Sequence, residues 1–397
     1  MRFAFECLEQ RPIAQRRREL VEVKGIGHPD TLCDALVEAI SVELARMYFQ
    51  HLGFVAHYNV DKALLAAGQC EKTFLSGRIL QPMRLFVGDR ATFSIESTAL
   101  PVIETLERAV SDWLERHLPK VRLRHELTLH PVLAPGSTPL RRIYRRAEEI
   151  ISNDTSGAVG FAPFTPTEAL TRGVVAFLNS EEFKQRFPDT GQDLKVFAVR
   201  TDARVELTVA MPFQCEAIDS ESTYFRRKEE VLHALHSRFT GADLEIDVRL
   251  NTLDQRGRGA DGLYLTLTGT SAEDADSGQV GRGNRTYGFI AFARPVGGEA
   301  APGKNPVAHV GKIYSVASQR LAERIHTRHP ELLEVYVSLA TRIGEPIVQP
   351  WVSVQVLPAH GCRVAEIQHS IQQLVAAELA CLPEYWHSLV QGEFSVY

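Results

Sequence analysis

Strand-like stretches come in adjacent pairs with helical stretches between them, and this alternation constrains the possible folds more than any other feature. Residues 194–200 (LKVFAVR) and 204–210 (RVELTVA) flank Thr201-Asp202-Ala203. Two such runs around so short a turn predict an antiparallel hairpin. A two-residue apolar period at Val121, Leu123, Leu127 and Leu129 predicts a half-buried strand, and further strands are expected at 244–250, 262–268, 286–292 and 352–356. Helices are expected at 101–117, 140–151, 222–238, 306–327 and 363–381. Paired strands interleaved with helices point to an α+β fold and not to a strict β-α-β series. No exact sequence repeat is visible, although the pattern of elements leaves room for a structural one.

At roughly 150 residues per domain, the 397 residues suggest two or three domains. Lys plus Arg is 44 against 49 for Asp plus Glu, a formal charge of -5. That balance argues against a dedicated nucleic-acid binder but leaves room for a local basic pocket. The sequence has no apolar run long enough to span a membrane and no apolar core near its start of the kind a secretory signal carries. Cys7, Cys33, Cys70, Cys215, Cys362 and Cys381 form no C-x-x-C pair and show no zinc spacing. The expectation is a reduced, cytoplasmic enzyme.

Five segments carry possible chemistry. In Glu22-Val-Lys-Gly-Ile-Gly-His28-Pro-Asp30, a histidine and a carboxylate straddle a proline. Apolar residues at Leu32, Leu36, Ile40, Leu44 and Met47 then predict a helix from about Thr31 with Asp30 as its N-cap. A helix N-terminus favours an anion, so Asp30 or Glu22 could hold Mg²⁺ while His28 donates to a phosphate; a plain cap and loop is the alternative. Asn153-Asp154-Thr155-Ser156-Gly157 reads as an Asx turn or as a carboxylate for an ammonium or ribose. Gly191-Gln-Asp193-Leu-Lys195 opens a strand with either a surface ion pair or a lysine entering a cleft.

The glycine-rich connections cluster in 251–312. Thr268-Gly-Thr270-Ser271-Ala-Glu273 leads to Asp276-Ser-Gly278-Gln-Val-Gly281-Arg282-Gly283-Asn284-Arg285. Glycines let backbone N–H groups approach an anion, the arginines offer bidentate phosphate contacts, and Glu273 and Asp276 could bind the accompanying metal. Gly298-Glu-Ala-Ala-Pro-Gly303-Lys304-Asn305 nearly completes a Walker A loop, but Asn305 lacks the hydroxyl that would bind Mg²⁺. A different cationic phosphate site fits better, with His309 and Lys312 following.

The ordered set of VEVKGIGHPD, NDTS, the D-x-K strand start, GTSAE…D-x-G-x-V-G-R-G-N-R and GKNPVAHVGKIY closely resembles the archaeal-type branch of the S-adenosylmethionine synthetase family, from about Glu22 to Tyr314. The resemblance implies three similar, interleaved α+β subdomains of mixed or antiparallel sheet with helices. The expected groupings are 1–26 with 150–250, 27–110 with 251–305, and 111–149 with 306–397. It further implies a homodimer with active sites at the interface, ATP and L-methionine as substrates, Mg²⁺, and K⁺ as a further candidate cation. The implied reaction is attack of the methionine sulfur on C5′ of ATP. Tripolyphosphate is displaced and then hydrolysed to pyrophosphate and phosphate.

The same resemblance assigns His28, Lys195, Arg282 and Lys304 to catalysis. Glu22, Gly281, Gly283, Asn284, Arg285, Gly303, His309 and Lys312 would hold the nucleotide and polyphosphate. Gln69, Asp154, Ser156 and Asp276 would hold methionine and ribose, and Asp30, Asp61 and Glu273 the metal. The chain departs from the archaeal pattern at Ala291-Phe292, at Ser277, at Leu253-Asp254-Gln255 and within 295–300 (PVGGEA). These departures leave open another nucleotide such as CTP, a methionine analogue, or a non-catalytic phosphate-binding paralogue.

Overall fold

The computed structural model describes residues 2–136, 150–239 and 244–397. Three sheets share one strand pattern, and each is backed by two helices and its own apolar core. The first sheet runs in the order Gly278–Gln279, Asn59–Ala66, Met83–Ala91, Leu127–Pro135. The second runs Arg18–Lys24, Lys195–Thr201, Arg204–Ala210, Glu245–Leu250, with Ile290–Ala291 added outside Arg18–Lys24. The third runs Ser156–Ala162, Leu332–Thr341, Trp351–Pro358, Arg2–Cys7. In each, the first three strands are antiparallel and the fourth is parallel to its neighbour. A structural repeat is therefore present without a sequence repeat.

The sheets exchange strands in a cycle. Arg18–Lys24 immediately precedes the helix Pro29–Leu52 of the first unit but pairs in the second sheet. Ser156–Ala162 precedes the helix Pro166–Leu178 of the second unit but pairs in the third. Gly278–Gln279 precedes the helix Val310–Arg328 of the third unit but pairs in the first. The third sheet also takes its parallel strand, Arg2–Cys7, from the start of the chain.

Local chemistry explains the elements. Pro29 sits at the first helical position, Gly53 closes the helix with φ of 74°, and Leu32, Leu36, Ile40 and Leu44 are fully buried. Each such leucine or isoleucine contributes roughly 1.5–3 kcal/mol by leaving water. The expected hairpin forms as Lys195–Thr201 and Arg204–Ala210, with Val196 and Ala198 buried and Lys195 and Phe197 partly exposed.

Several expectations need correction. His28, not Asp30, caps the helix that starts at Pro29. The strand near 121–129 is Leu127–Pro135, and within 262–268 and 286–292 only Leu265–Thr266 and Ile290–Ala291 are strand. Most of the helix expected at 140–151 lies outside the described residues. The subdomain grouping also differs. Leu127–Pro135 belongs with the first sheet, while Arg2–Cys7 and Ser156–Ala162 belong with the third. Strand exchange is made by backbone hydrogen bonds between distant segments, and local patterning carries no sign of it.

Candidate active site

Two histidine-capped helix starts meet the glycine-rich loops near one cleft. At the first, the His28 Nδ1 accepts from the Asp30 N–H at 3.2 Å, which in the neutral ring puts the proton on Nε2. Burial, then Lys24, lowers the His28 pKa to about 4, so the ring is neutral at pH 7. His309 repeats the arrangement. Its Nδ1 accepts from Gly311 N–H at 3.3 Å, and burial followed by Lys304 lowers its pKa to about 3. Both rings can donate at neutral pH without carrying charge.

Around His28 stand Lys24, Glu22, Asp30 and Lys195. The Lys24 ammonium donates to Asp30 at 2.9 Å and to the Arg282 carbonyl at 2.7 Å, and lies 3.6 Å from Glu22. Glu22 also lies 3.3 Å from the Lys195 ammonium, which is half exposed. Lys24 was not among the residues singled out from the sequence. The signal was its two-residue offset from Glu22, which places both on one face of the strand.

Around His309 stand Lys304, Asp61 and Glu299. The Lys304 ammonium is buried and pairs with Asp61, and with Glu299 at 3.0 Å. Burial alone would raise Asp61, but Lys304 and Lys62 more than cancel it and hold this carboxyl below the ordinary range. Glu299, also missed, accepts from Ser156 Oγ at 2.8 Å and so ties the NDTS segment to Lys304. Asn153 N–H reaches the Ala308 carbonyl at 3.2 Å, which brings the same segment beside His309.

The two groups share a border. Gln279 donates its N–H to Asp30 at 3.0 Å and lines, with Asp61, Lys62, Glu299 and Lys304, an open cleft of ≈ 530 Å³. Arg282 is exposed, with its carbonyl held by Lys24. The left-handed Gly281 and Gly303, at φ of 81° and 79°, shape the two loops.

Other expected site residues have different surroundings. Glu273 is saturated: it accepts from Leu267 N–H, Thr268 N–H and the hydroxyls of Thr266 and Thr268, at 2.6–3.1 Å. It staples the turn that carries Thr268-Gly-Thr270 and has little capacity left for a metal. Asn284 spends both ends of its amide on the Lys24 backbone, at 2.8 and 3.0 Å. Lys312 is fully buried and bonded to Glu38 at 2.7 and 2.8 Å, so it does not reach the cleft. Arg285 bonds the Gly281 carbonyl at 3.1 Å. Gln69 and Asp276 are exposed and flank the contact between Gly68 N–H and the Ala272 carbonyl. Asp154 is half-buried and accepts from Thr155 N–H at 2.8 Å.

Asp30 and Asp61 suit a hard divalent cation. Each offers carboxylate oxygens beside a lysine, Lys24 and Lys304 respectively, and Mg²⁺ typically uses one or two carboxylates plus substrate phosphates.

Comparison with known proteins gives the family. The profile of the S-adenosylmethionine synthetase (AdoMet synthetase) family matches residues 2–393. The S-adenosylmethionine synthase of Aeropyrum pernix is 39% identical over 389 residues, covering 96% of this chain and 95% of that protein. That of Pyrobaculum neutrophilum is 36% identical over 400 residues, covering 99% of each. A solved structure described as an unusual S-adenosylmethionine synthetase from Campylobacter jejuni superposes with a TM-score of 0.61 at 16% identity, covering 94% of this chain and 93% of that one, and so shares the fold. With a profile match along nearly its whole length and full-length relatives above one-third identity, the chain belongs to the S-adenosylmethionine synthetase family.

Proposed function

We propose that the protein is an ATP-dependent methionine adenosyltransferase. The methionine sulfur attacks C5′ of ATP, tripolyphosphate leaves, and its hydrolysis gives pyrophosphate and phosphate. The observation that carries this reading is the grouping of Lys24, Lys195 and the loop bearing the exposed Arg282 around His28, next to a second group of Lys304 and His309, with both histidines neutral donors. Such a surface suits a polyanion whose charge grows as it leaves. Relatives named as S-adenosylmethionine synthases across nearly the full length support the substrates.

A thioether has no proton to lose, so no general base is required. The residues have two tasks: alignment of sulfur, C5′ and leaving oxygen, and stabilisation of the departing charge. Alignment supplies about 7–11 kcal/mol in favourable cases, and one well-placed donor about 3–4 kcal/mol. In this reading His28 Nε2–H donates to the leaving phosphate oxygen, while Lys195, Arg282 and Lys304 grip the chain of phosphates. Lys304 exchanges its carboxylate partners for phosphate when substrate binds. Asp30 and Asp61 would hold Mg²⁺, which supplies further neutralisation of the polyphosphate. In the same reading Ser156, which donates to Glu299 at 2.8 Å, and Asp154 just before it would hold the amino-acid group.

Active sites completed by a second copy belong to the same reading. Leu64 and Val132, both on the first sheet and lining the cleft, are 44% and 64% exposed, an apolar surface that a partner would cover. One observation favours a shifted base preference. Phe292 is 55% exposed, with its ring 5.7 Å from that of Phe197, which sits on the same strand face as Lys195.

The test is incubation of the protein with L-methionine, Mg²⁺ and K⁺ and each of ATP, CTP, GTP and UTP. Mass spectrometry identifies the sulfonium and phosphorus NMR the phosphates released. S-Adenosylmethionine with pyrophosphate and phosphate from ATP is expected. A sulfonium from another nucleotide keeps the chemistry and replaces the substrate, and none from any removes the transferase reading.

A further inference from the structure

Asp30, Asp34 and Glu38 follow one another at four-residue intervals along the helix Pro29–Leu52, so their side chains share one face. All three are buried, and each accepts from backbone N–H groups of the glycine-rich loops. Asp30 takes Gln279 at 3.0 Å, Asp34 takes Gly281 at 2.7 Å and Gly283 at 3.2 Å, and Glu38 takes Gly303 at 3.0 Å. The first loop carries Arg282 and the second carries Lys304. Asp34 is the central rung. It is fully buried, contacts neither cation of the cleft, and holds the residues on both sides of Arg282.

The loop fits the carboxylate closely. A Cβ on Gly283 would lie 2.3 Å from Asp34 Oδ2, and one on Gly278 would lie 1.9 Å from the Pro29 carbonyl oxygen. Only glycine lets the backbone come so near. Burial pushes the Asp34 carboxyl up to about 7, and the Gly281 and Gly283 N–H groups oppose that rise.

We infer that Asp34 is a positioning residue that fixes the Gly281–Gly283 backbone so that Arg282 stands ready for polyphosphate. Asp30 anchors the front of the same loop, and Glu38, held by Lys312 at 2.7 and 2.8 Å, does the equivalent for the Lys304 loop. The inference deepens the proposed function and rests on its assignment of Arg282 to the polyphosphate.

The experiment compares wild type with Asp34→Asn, which keeps the shape but turns one acceptor into a donor facing an N–H. Amide hydrogen exchange over 279–285 should accelerate while that over 40–52 stays as in wild type. Affinity for inorganic tripolyphosphate, read by calorimetry, should fall by about 10–100-fold, the scale of losing one hydrogen bond to a charged group. The KM for methionine should not move. Gly283→Ala, which pushes the loop off Asp34 from the other side, should give the same losses, and it decides the matter if Asp34→Asn does not fold. Unchanged exchange over 279–285, or unchanged tripolyphosphate affinity, overturns the inference, as does an equal loss for methionine and tripolyphosphate. Calorimetry needs no turnover: a wild type that binds tripolyphosphate but makes no sulfonium removes the transferase reading alone.

Discussion

The helix starts at His28 and His309 can be set against the equivalent start at Thr165. All three open the first helix of a unit after a strand lent to a neighbouring sheet. At Thr165 the chemistry is closed. Thr165 and Glu168 form a reciprocal capping box, Arg294 donates to both Glu168 oxygens at 2.8 and 2.9 Å, and Arg200 pairs with Glu19. Arg294 and Glu168 side chains are each 1% exposed. At His28 and His309 the cap uses Nδ1 and leaves the Nε2 proton, while lysines border a cleft. One backbone feature has thus become a structural knot in one place and a candidate binding surface in two. Charges are paired in all three places, and the difference lies in their setting: Arg294 and Glu168 are sealed in the interior, whereas Lys304, Asp61 and Glu299 line an open cleft.

The comparison can be broken most forcefully at the knot. Arg294→Met should cost about 3–5 kcal/mol of stability, because Glu168 is left buried and unpaired; denaturant titration measures it. At Lys304→Ala, Asp61 keeps Lys62 and Asn59 at 2.6 Å, so the stability loss should be smaller than at Arg294 while turnover falls about 10²–10³-fold. Equal melting losses for the two variants would erase the distinction between knot and cleft.

The histidines give the comparison a pH signature. Their folded pKa values, about 4 and about 3, lie below the ordinary 6.5, so the unfolded chain binds more protons over the interval between. Their contribution to stability is full above pH 6.5 and is lost as pH falls toward 4. With two protons taken up on unfolding, the slope reaches about 2.7 kcal/mol per pH unit. His309→Asn should halve that part of the slope in melts between pH 4.5 and 6. His28→Asn keeps an acceptor for the Asp30 N–H but loses the Nε2 donor, so turnover should fall by about 10²–10³-fold with little change in stability. The smallest effect is at Thr165→Ala, about 1 kcal/mol of stability and no change in the KM for ATP.

Much of the local structure could be read from residue order. The 195–210 hairpin and the helices near 101–117, 222–238 and 363–381 follow from apolar period, because burial of one face leaves a periodic trace. The ordered motifs pointed to the loops around Arg282 and Lys304. Less legible were short strands such as Ile290–Ala291, whose two residues leave no period, and the true cap, His28, hidden because Asp30 is the commoner capping residue. The roles of Lys24, Glu299 and Asp34, and the removal of Lys312 from the cleft, depend on partners far along the chain. Glu38 meets Lys312 across 274 positions, for example, whereas Glu273 is taken up by Thr266, Leu267 and Thr268 just before it.

The sequence by itself determined the α+β class, the main helices and hairpin, and the family, since propensity, period and motif order are local properties of the chain. Tertiary structure alone decided which strand serves which sheet, which carboxylates are satisfied by backbone N–H groups, and which charges stay open at the cleft. The first outcome rests on hydrogen bonds between main-chain groups and the second on main-chain N–H donors, which nearly every residue shares. Geometry selects among them, and residue type leaves no mark of the choice.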